Sequence, residues 1–139
     1  MGQRNTLKIF GTIELISARF LYHFQEVFNA KTYIQYLENV LRSYFPQKVF
    51  LIQDNASYHK DRTVWEWFGS HRSQIEVFNL PAYSPELNAL ERVWRHTRLY
   101  GAHNRYFTTQ QELRSTLTST FRSIQHNPQQ VQGYLRPYQ

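Results

Sequence analysis

The stretch Lys48-Val-Phe-Leu-Ile-Gln-Asp-Asn-Ala-Ser-Tyr-His59 decides the fold. Its first six residues are a short and almost continuously apolar run, the pattern of a strand buried on both faces of a mostly parallel sheet. The run stops at Asp54, so the aspartate stands at the carboxyl end of that strand. Ligands of open α/β sheets gather beyond the carboxyl ends of strands, which makes Asp54 the first candidate for chemistry.

Reading downstream, Asp61 to Ser70 places Val64, Trp65 and Phe68 at helical spacing and ends near Gly69. Ile75 to Leu80 then reads as a second strand, giving the order strand, helix, strand. Upstream, Thr32 to Tyr44 carries Tyr33, Tyr36, Leu37, Val40 and Leu41 at helical spacing, with Pro46 as a stop. Before it, Leu7 to Ile16 and Ala18 to Phe24 read as a hairpin turning near Ser17.

Beyond the second strand, the Pro81–Pro85 loop leads into a helix from about Glu86 to Tyr100, with Ser84 as its expected N-cap and Pro85 as its first residue. Thr108 to Ile124 predicts a last helix through Leu113, Leu117, Phe121 and Ile124, and residues 127–139 are expected to form an irregular tail. The whole is an α/β domain with a mixed sheet and flanking helices, a single domain over residues 1–139.

Composition agrees with a folded domain that meets a polyanion. Aromatic residues make up 17% of the chain and charged residues 19%, enough apolar material for a core. Sixteen Lys and Arg against ten Asp and Glu give a net charge of +6, which favours nucleic acid as partner. The absence of cysteine excludes a disulfide framework and a thiolate zinc site, and suits a cytoplasmic location. The longest apolar run, Val49 to Ile52, is far too short to span a bilayer, so no membrane partner is expected.

The second acid of interest is Glu91. On its helix it is in register with Leu87, Trp94 and Arg98, which reads as the inward-leaning side. A helix packed beside the end of the Asp54 strand would bring two carboxylates to one point, a site for hard divalent ions with oxygen preferences, Mg²⁺ or Mn²⁺. Such ions serve in-line displacement at a phosphodiester, with the carboxylates holding metal rather than attacking. Asn55 and His59 are possible auxiliary groups toward bound water or phosphate. Arg92, Arg95, His96, Arg98 and Arg105 cluster on or after the Glu91 helix and are candidates for following a DNA backbone. From their phase, Trp65 and Trp94 belong to the core.

Two segments together carry a family resemblance. Asp54-Asn-Ala-Ser-Tyr-His59 resembles the second acidic motif of the DDE superfamily endonucleases, and Asn79-Leu-Pro-Ala-Tyr-Ser-Pro-Glu-Leu-Asn-Ala-Leu-Glu91 resembles the third. The chain is similar in particular to the bacterial insertion-sequence relatives of the mariner transposases. The 36 residues between Asp54 and Glu91 suit that family, and Ile9-Phe10-Gly11 resembles the strand that follows its first acid. The resemblance implies an RNase H-like fold, Asp54 and Glu91 as catalytic and metal-holding acids, Mg²⁺ or Mn²⁺ as cofactor, and DNA strand cleavage and strand transfer as the reaction.

It also implies a gap. The family's first catalytic Asp lies on a central strand upstream of the hairpin, and the chain is expected to lack both. Asp61, the only other aspartate, reads as a charge at a helix start. The completing strand is expected from an upstream polypeptide or from another copy in a homo-oligomer. The alternative is an inactive transposase remnant that keeps DNA binding or oligomerisation.

Overall fold

A computed structural model describes residues 7–54, 56–101 and 106–139. The elements in chain order are β1 (Lys8–Ile13), β2 (Phe20–Gln25), α1 (Ala30–Tyr44), β3 (Val49–Gln53), α2 (Arg62–Ser70), β4 (Ile75–Asn79), α3 (Ala89–Tyr100), α4 (Gln110–His126) and α5 (Gln129–Leu135). Short 3₁₀ turns occupy Ser57–Lys60, Pro85–Leu87 and Arg136–Tyr138. The described strands form two separate two-stranded sheets, β1 with β2 and β3 with β4. The chain divides into two compact units, one of residues 1–24 with 89–139 and one of residues 25–88. Among the described residues no helix is long and apolar enough to cross a membrane.

The first unit is built around Phe20, Val93, Phe121, Ile124, Val131 and Leu135, all essentially inaccessible. Phe20 meets Phe121 with ring centroids 5.4 Å apart and Trp94 at 5.8 Å, both edge-on. Trp94 therefore packs on the core, as its phase predicts. Its indole lies over β1 at Gly11, where an added Cβ would come within 2.6 Å of the ring, so only glycine admits this contact.

α4 starts at Thr109, whose hydroxyl accepts the Glu112 N–H at 3.1 Å, and buries Leu117, Phe121 and Ile124 at i, i+4 and i+7. The expected irregular tail is instead α5. Val131 and Leu135, one turn apart, are completely buried, and each contributes roughly 1.5–3 kcal/mol by the usual area reckoning. That gain helps order a short segment that carries Gly133 in its interior.

In the second unit α1 buries Tyr33, Tyr36, Leu37, Val40 and Leu41, the residues its periodicity predicts. A capping box starts it two residues early. Asn29 Oδ1 accepts the Thr32 N–H at 2.9 Å, and Thr32 Oγ1 accepts the Asn29 N–H at 3.1 Å. Asp61 caps α2 by accepting the Thr63 N–H at 2.8 Å, confirming it as a helix-start charge.

α2 corrects one assignment: the buried set is Val64, Trp67 and Phe68, while Trp65 is 42% exposed. Positions 64, 67 and 68 share one helical stripe, and residue 65 is turned about 100° from it. β3 and β4 run parallel in the register Val49↔Ile75, Leu51↔Val77 and Gln53↔Asn79. β3 is not buried on both faces as its composition suggested, since Phe50 is 63% and Ile52 51% exposed. Among the described strands it pairs only with β4, so it is an edge strand with alternating rather than uniform burial.

Candidate active site

β3 ends at Gln53, which puts Asp54 at its carboxyl end. Asp54 Oδ1 accepts the Ala56 N–H at 3.1 Å, an Asx-type turn that bends the chain out of the strand. The 3₁₀ turn that follows brings His59 back underneath. His59 Nδ1 lies 3.0 Å from the Asp54 backbone oxygen and 3.0 Å from its Oδ1, so one ring N–H is shared between both acceptors. The imidazole is only 8% exposed, while the Asp54 carboxylate is half-exposed and reachable from solvent.

The electrostatics follow from that clasp. The hydrogen bond from His59 is the main reason the Asp54 carboxyl lies below the ordinary carboxylate range. Partial burial opposes the shift and the Ala56 N–H assists it. Burial, with Asp54 nearby, pushes the Tyr58 phenol up to about 12, and burial also raises Tyr33. Near neutral pH the surroundings of Asp54 are therefore an ionised carboxylate beside two neutral phenols.

Sequence reasoning missed what stands behind this pair. His59 packs against Tyr33 of α1 at 4.4 Å between ring centroids. The Tyr33 hydroxyl donates to Gln53 Oε1 at 2.5 Å, and Gln53 Nε2 donates to Asn79 Oδ1 at 2.8 Å. The Leu80 N–H then reaches the Gln53 carbonyl at 2.8 Å. This chain of hydrogen bonds ties the end of β3 to the end of β4, where the segment leading to Glu91 begins. The available signal was Gln53 itself, a polar side chain closing an apolar run and 4% exposed.

That segment leaves β4 through residues 80–84, where Tyr83 has φ +57° and a fully exposed ring. Ser84 makes no capping hydrogen bond, and Pro85 opens a 3₁₀ turn rather than α3, which starts at Ala89. The expected cap fails because the chain is not yet helical there.

Glu91 is in the first turn of α3, where the helix dipole favours a carboxylate. The buried stripe of α3 is Ala89, Val93, His96 and Thr97, and Glu91 lies about half a turn away from it rather than leaning inward. Among the described residues its carboxylate makes no ion pair, with Arg95 or any other base.

The basic candidates separate. Arg95 and Arg98 are exposed. Arg92 donates from Nε to the Tyr138 hydroxyl at 3.2 Å. His96 is corrected to a packing role: it is 6% exposed, 3.3 Å from the Tyr134 hydroxyl and 3.4 Å from Gln130 Oε1, both on α5. Asn55 and Arg105 lie outside the described residues.

Asp54 and Glu91 belong to different units. Both are hard oxygen donors of the type Mg²⁺ or Mn²⁺ takes. Among the described residues no three ligand-type side chains gather.

The chain is similar to known proteins over most of its length. Residues 1–114 match the family model for the DDE superfamily endonucleases. The chain is 34% identical over 68 residues to the Transposable element Tcb2 transposase of Caenorhabditis briggsae, covering 46% of the chain and 24% of that protein. It is 29% identical over 92 residues to the Transposable element Tc3 transposase of Caenorhabditis elegans, covering 66% of the chain and 27% of that protein. The chain thus spans about a quarter of the length of these relatives. A solved structure of the Mos1 transposase catalytic domain, with raltegravir and Mg, superposes with a TM-score of 0.62 at 17% identity, over 94% of this chain and 78% of that one. The fold is accordingly RNase H-like. With residues 1–114 matched by that family model, the chain belongs to the DDE superfamily endonucleases.

Proposed function

We propose that residues 1–139 form the later part of one transposase catalytic core, which cuts DNA strands and transfers them by in-line attack on phosphodiesters. Asp54 and Glu91 are its metal-holding acids, and the third acid is contributed by residues outside 1–139. The chemistry that bound Mg²⁺ or Mn²⁺ supplies at such a site is activation of water or a 3′-hydroxyl and neutralisation of the leaving oxygen. The protein's share is to keep Asp54 ionised and aimed, through His59, and to present the Glu91 carboxylate. DNA is the partner, held through Arg92, Arg95, Arg98 and Arg105, and a cytoplasmic, insertion-sequence setting goes with this reading.

The observation that carries the proposal is the His59 clasp. A half-exposed carboxylate at a strand end has its orientation set by a buried imidazole, while Glu91 makes no ion pair among the described residues. The test is incubation of the chain, alone and with the upstream segment, with end-bearing duplex DNA and Mg²⁺ or Mn²⁺. Nicking that disappears in Asp54→Ala and in Glu91→Ala is the expected result. Nicking that survives both substitutions would overturn the assignment.

A second reading is a non-catalytic remnant that binds DNA or self-associates. DNA binding without cleavage in every combination would establish it.

A further inference from the structure

We infer that the outward face of α4 is a second contact surface for the phosphodiester backbone of duplex DNA, separate from the arginines of α3. The inference rests on the reading that this chain acts on DNA, and it starts from the distribution of charge. Ten Lys and Arg stand against three Asp and Glu in the first unit, and six against seven in the second, so the first unit carries all the excess positive charge. From Arg92 to the C-terminus there are seven arginines, no lysine and one acid, Glu112. Arginine is the side chain whose planar fork matches phosphate oxygens.

On α4 that charge is organised. Gln111, Arg114, Ser115, Thr118, Ser119 and Arg122 line one open depression of about 480 Å³. These positions recur at three- and four-residue intervals and so share a single helix face, on the side away from buried Leu117, Phe121 and Ile124. Glu112, the one acid of the helix, is turned back to its N-terminus, where its Oε2 accepts the Thr108 N–H at 3.0 Å and the Thr108 hydroxyl at 2.8 Å. Among the described residues neither Arg114 nor Arg122 makes an ion pair.

Arg114 is also oriented. Its guanidinium lies over the Phe24 ring, 4.6 Å from the centroid, which restrains the long side chain. The two arginines are eight residues apart, about 12 Å along the helix, with Ser115, Thr118 and Ser119 between them. Guanidinium groups interleaved with hydroxyls are the donors that phosphate oxygens take in backbone contacts, and they fix position without reading sequence.

The alternative is a merely solvated basic face, and salt dependence separates the two. Binding of the full chain to a labelled mixed-sequence duplex is followed by fluorescence anisotropy from about 50 to about 200 mM salt. The variants are Arg114→Gln with Arg122→Gln, the same pair changed to Ala, and Arg95→Gln with Arg98→Gln for comparison. Each phosphate contact contributes about 0.9 to the slope of log affinity against log salt, so either α4 pair is expected to lower that slope by roughly 1.8. Weakening should be similar on unrelated duplexes, with the thermal midpoint unchanged. An unchanged slope in both α4 pairs, with a lowered slope in the α3 pair, overturns the inference and leaves the DNA reading intact. A parent chain that binds no duplex at about 50 mM salt overturns both.

Discussion

Asp54 shows how much of a site can rest on one side chain behind it. His59 donates to its Oδ1 and holds the carboxyl below the ordinary carboxylate range. A depressed folded value means that the pair's contribution to stability is complete above the unfolded value of about 3.9 and disappears as pH falls through the folded one. Replacing His59 by Leu removes the donor. In thermal midpoints measured from neutral to acid pH, His59→Leu should start below the parent and lose less on acidification, so that the two curves converge at low pH. His59→Asn, whose amide can stand near the Nδ1 position, should fall between them, and superimposable acid limbs would contradict the clasp. The phenol beside it behaves oppositely. Tyr58, raised by burial to about 12, contributes stability below about pH 10 that is lost as pH climbs toward the folded value, so Tyr58→Phe should be the more stable chain at high alkaline pH. At this scale Asp54 and His59 were legible because a motif carries them. The Tyr33–Gln53–Asn79 links were not, because they join residues 20 and 26 positions apart that no local pattern relates.

Among elements, α1 and α4 were readable because their apolar residues repeat at the helical period over several turns. α5 was hidden, since only Val131 and Leu135 mark its buried face and Gly133 lies between them. Its order is tertiary in origin and should be lost with its anchors. Leu135→Ala is expected to destabilise the chain by about 2–5 kcal/mol, read as a shift in denaturant midpoint, and to raise amide exchange across Gln129–Leu135 first. A midpoint shift without selective exchange in α5 would mean that this segment is not held as described. β1 offers a complementary case of overpacking. A methyl group at Gly11 would stand 2.6 and 2.8 Å from two atoms of the Trp94 ring, a rigid neighbour that cannot swing aside. Gly11→Ala should cost about 1–3 kcal/mol, and Trp94→Leu should absorb most of that cost in the double variant, which a double-mutant cycle measures directly. From sequence, Gly11 looked like one residue of a resemblance; its role came into view only with the indole above it.

At the scale of the molecule, the four strands were foreseen and their grouping was not. The strand content suggested one mixed sheet, whereas the described strands form two pairs. Hydrophobic pattern reports which residues seek burial, but neighbours in a sheet are chosen by pairing with strands far off in sequence. A two-stranded sheet is marginal by itself, and β3, paired with β4 alone among the described strands, presents an open backbone edge and, through Phe50 and Ile52, an exposed apolar face. The proposal that an upstream strand completes the core makes a prediction about this edge. Co-expression with the upstream segment should give a complex with a higher thermal midpoint than the chain alone and with slowed amide exchange at Val49–Gln53, beyond what β4 pairing provides. A charged or proline substitution in the middle of the added strand should abolish both effects, because it removes either the apolar face or a ladder donor. If the segment binds but exchange at β3 is unaltered, it docks elsewhere, and the third acid would then not arrive beside Asp54 by strand pairing.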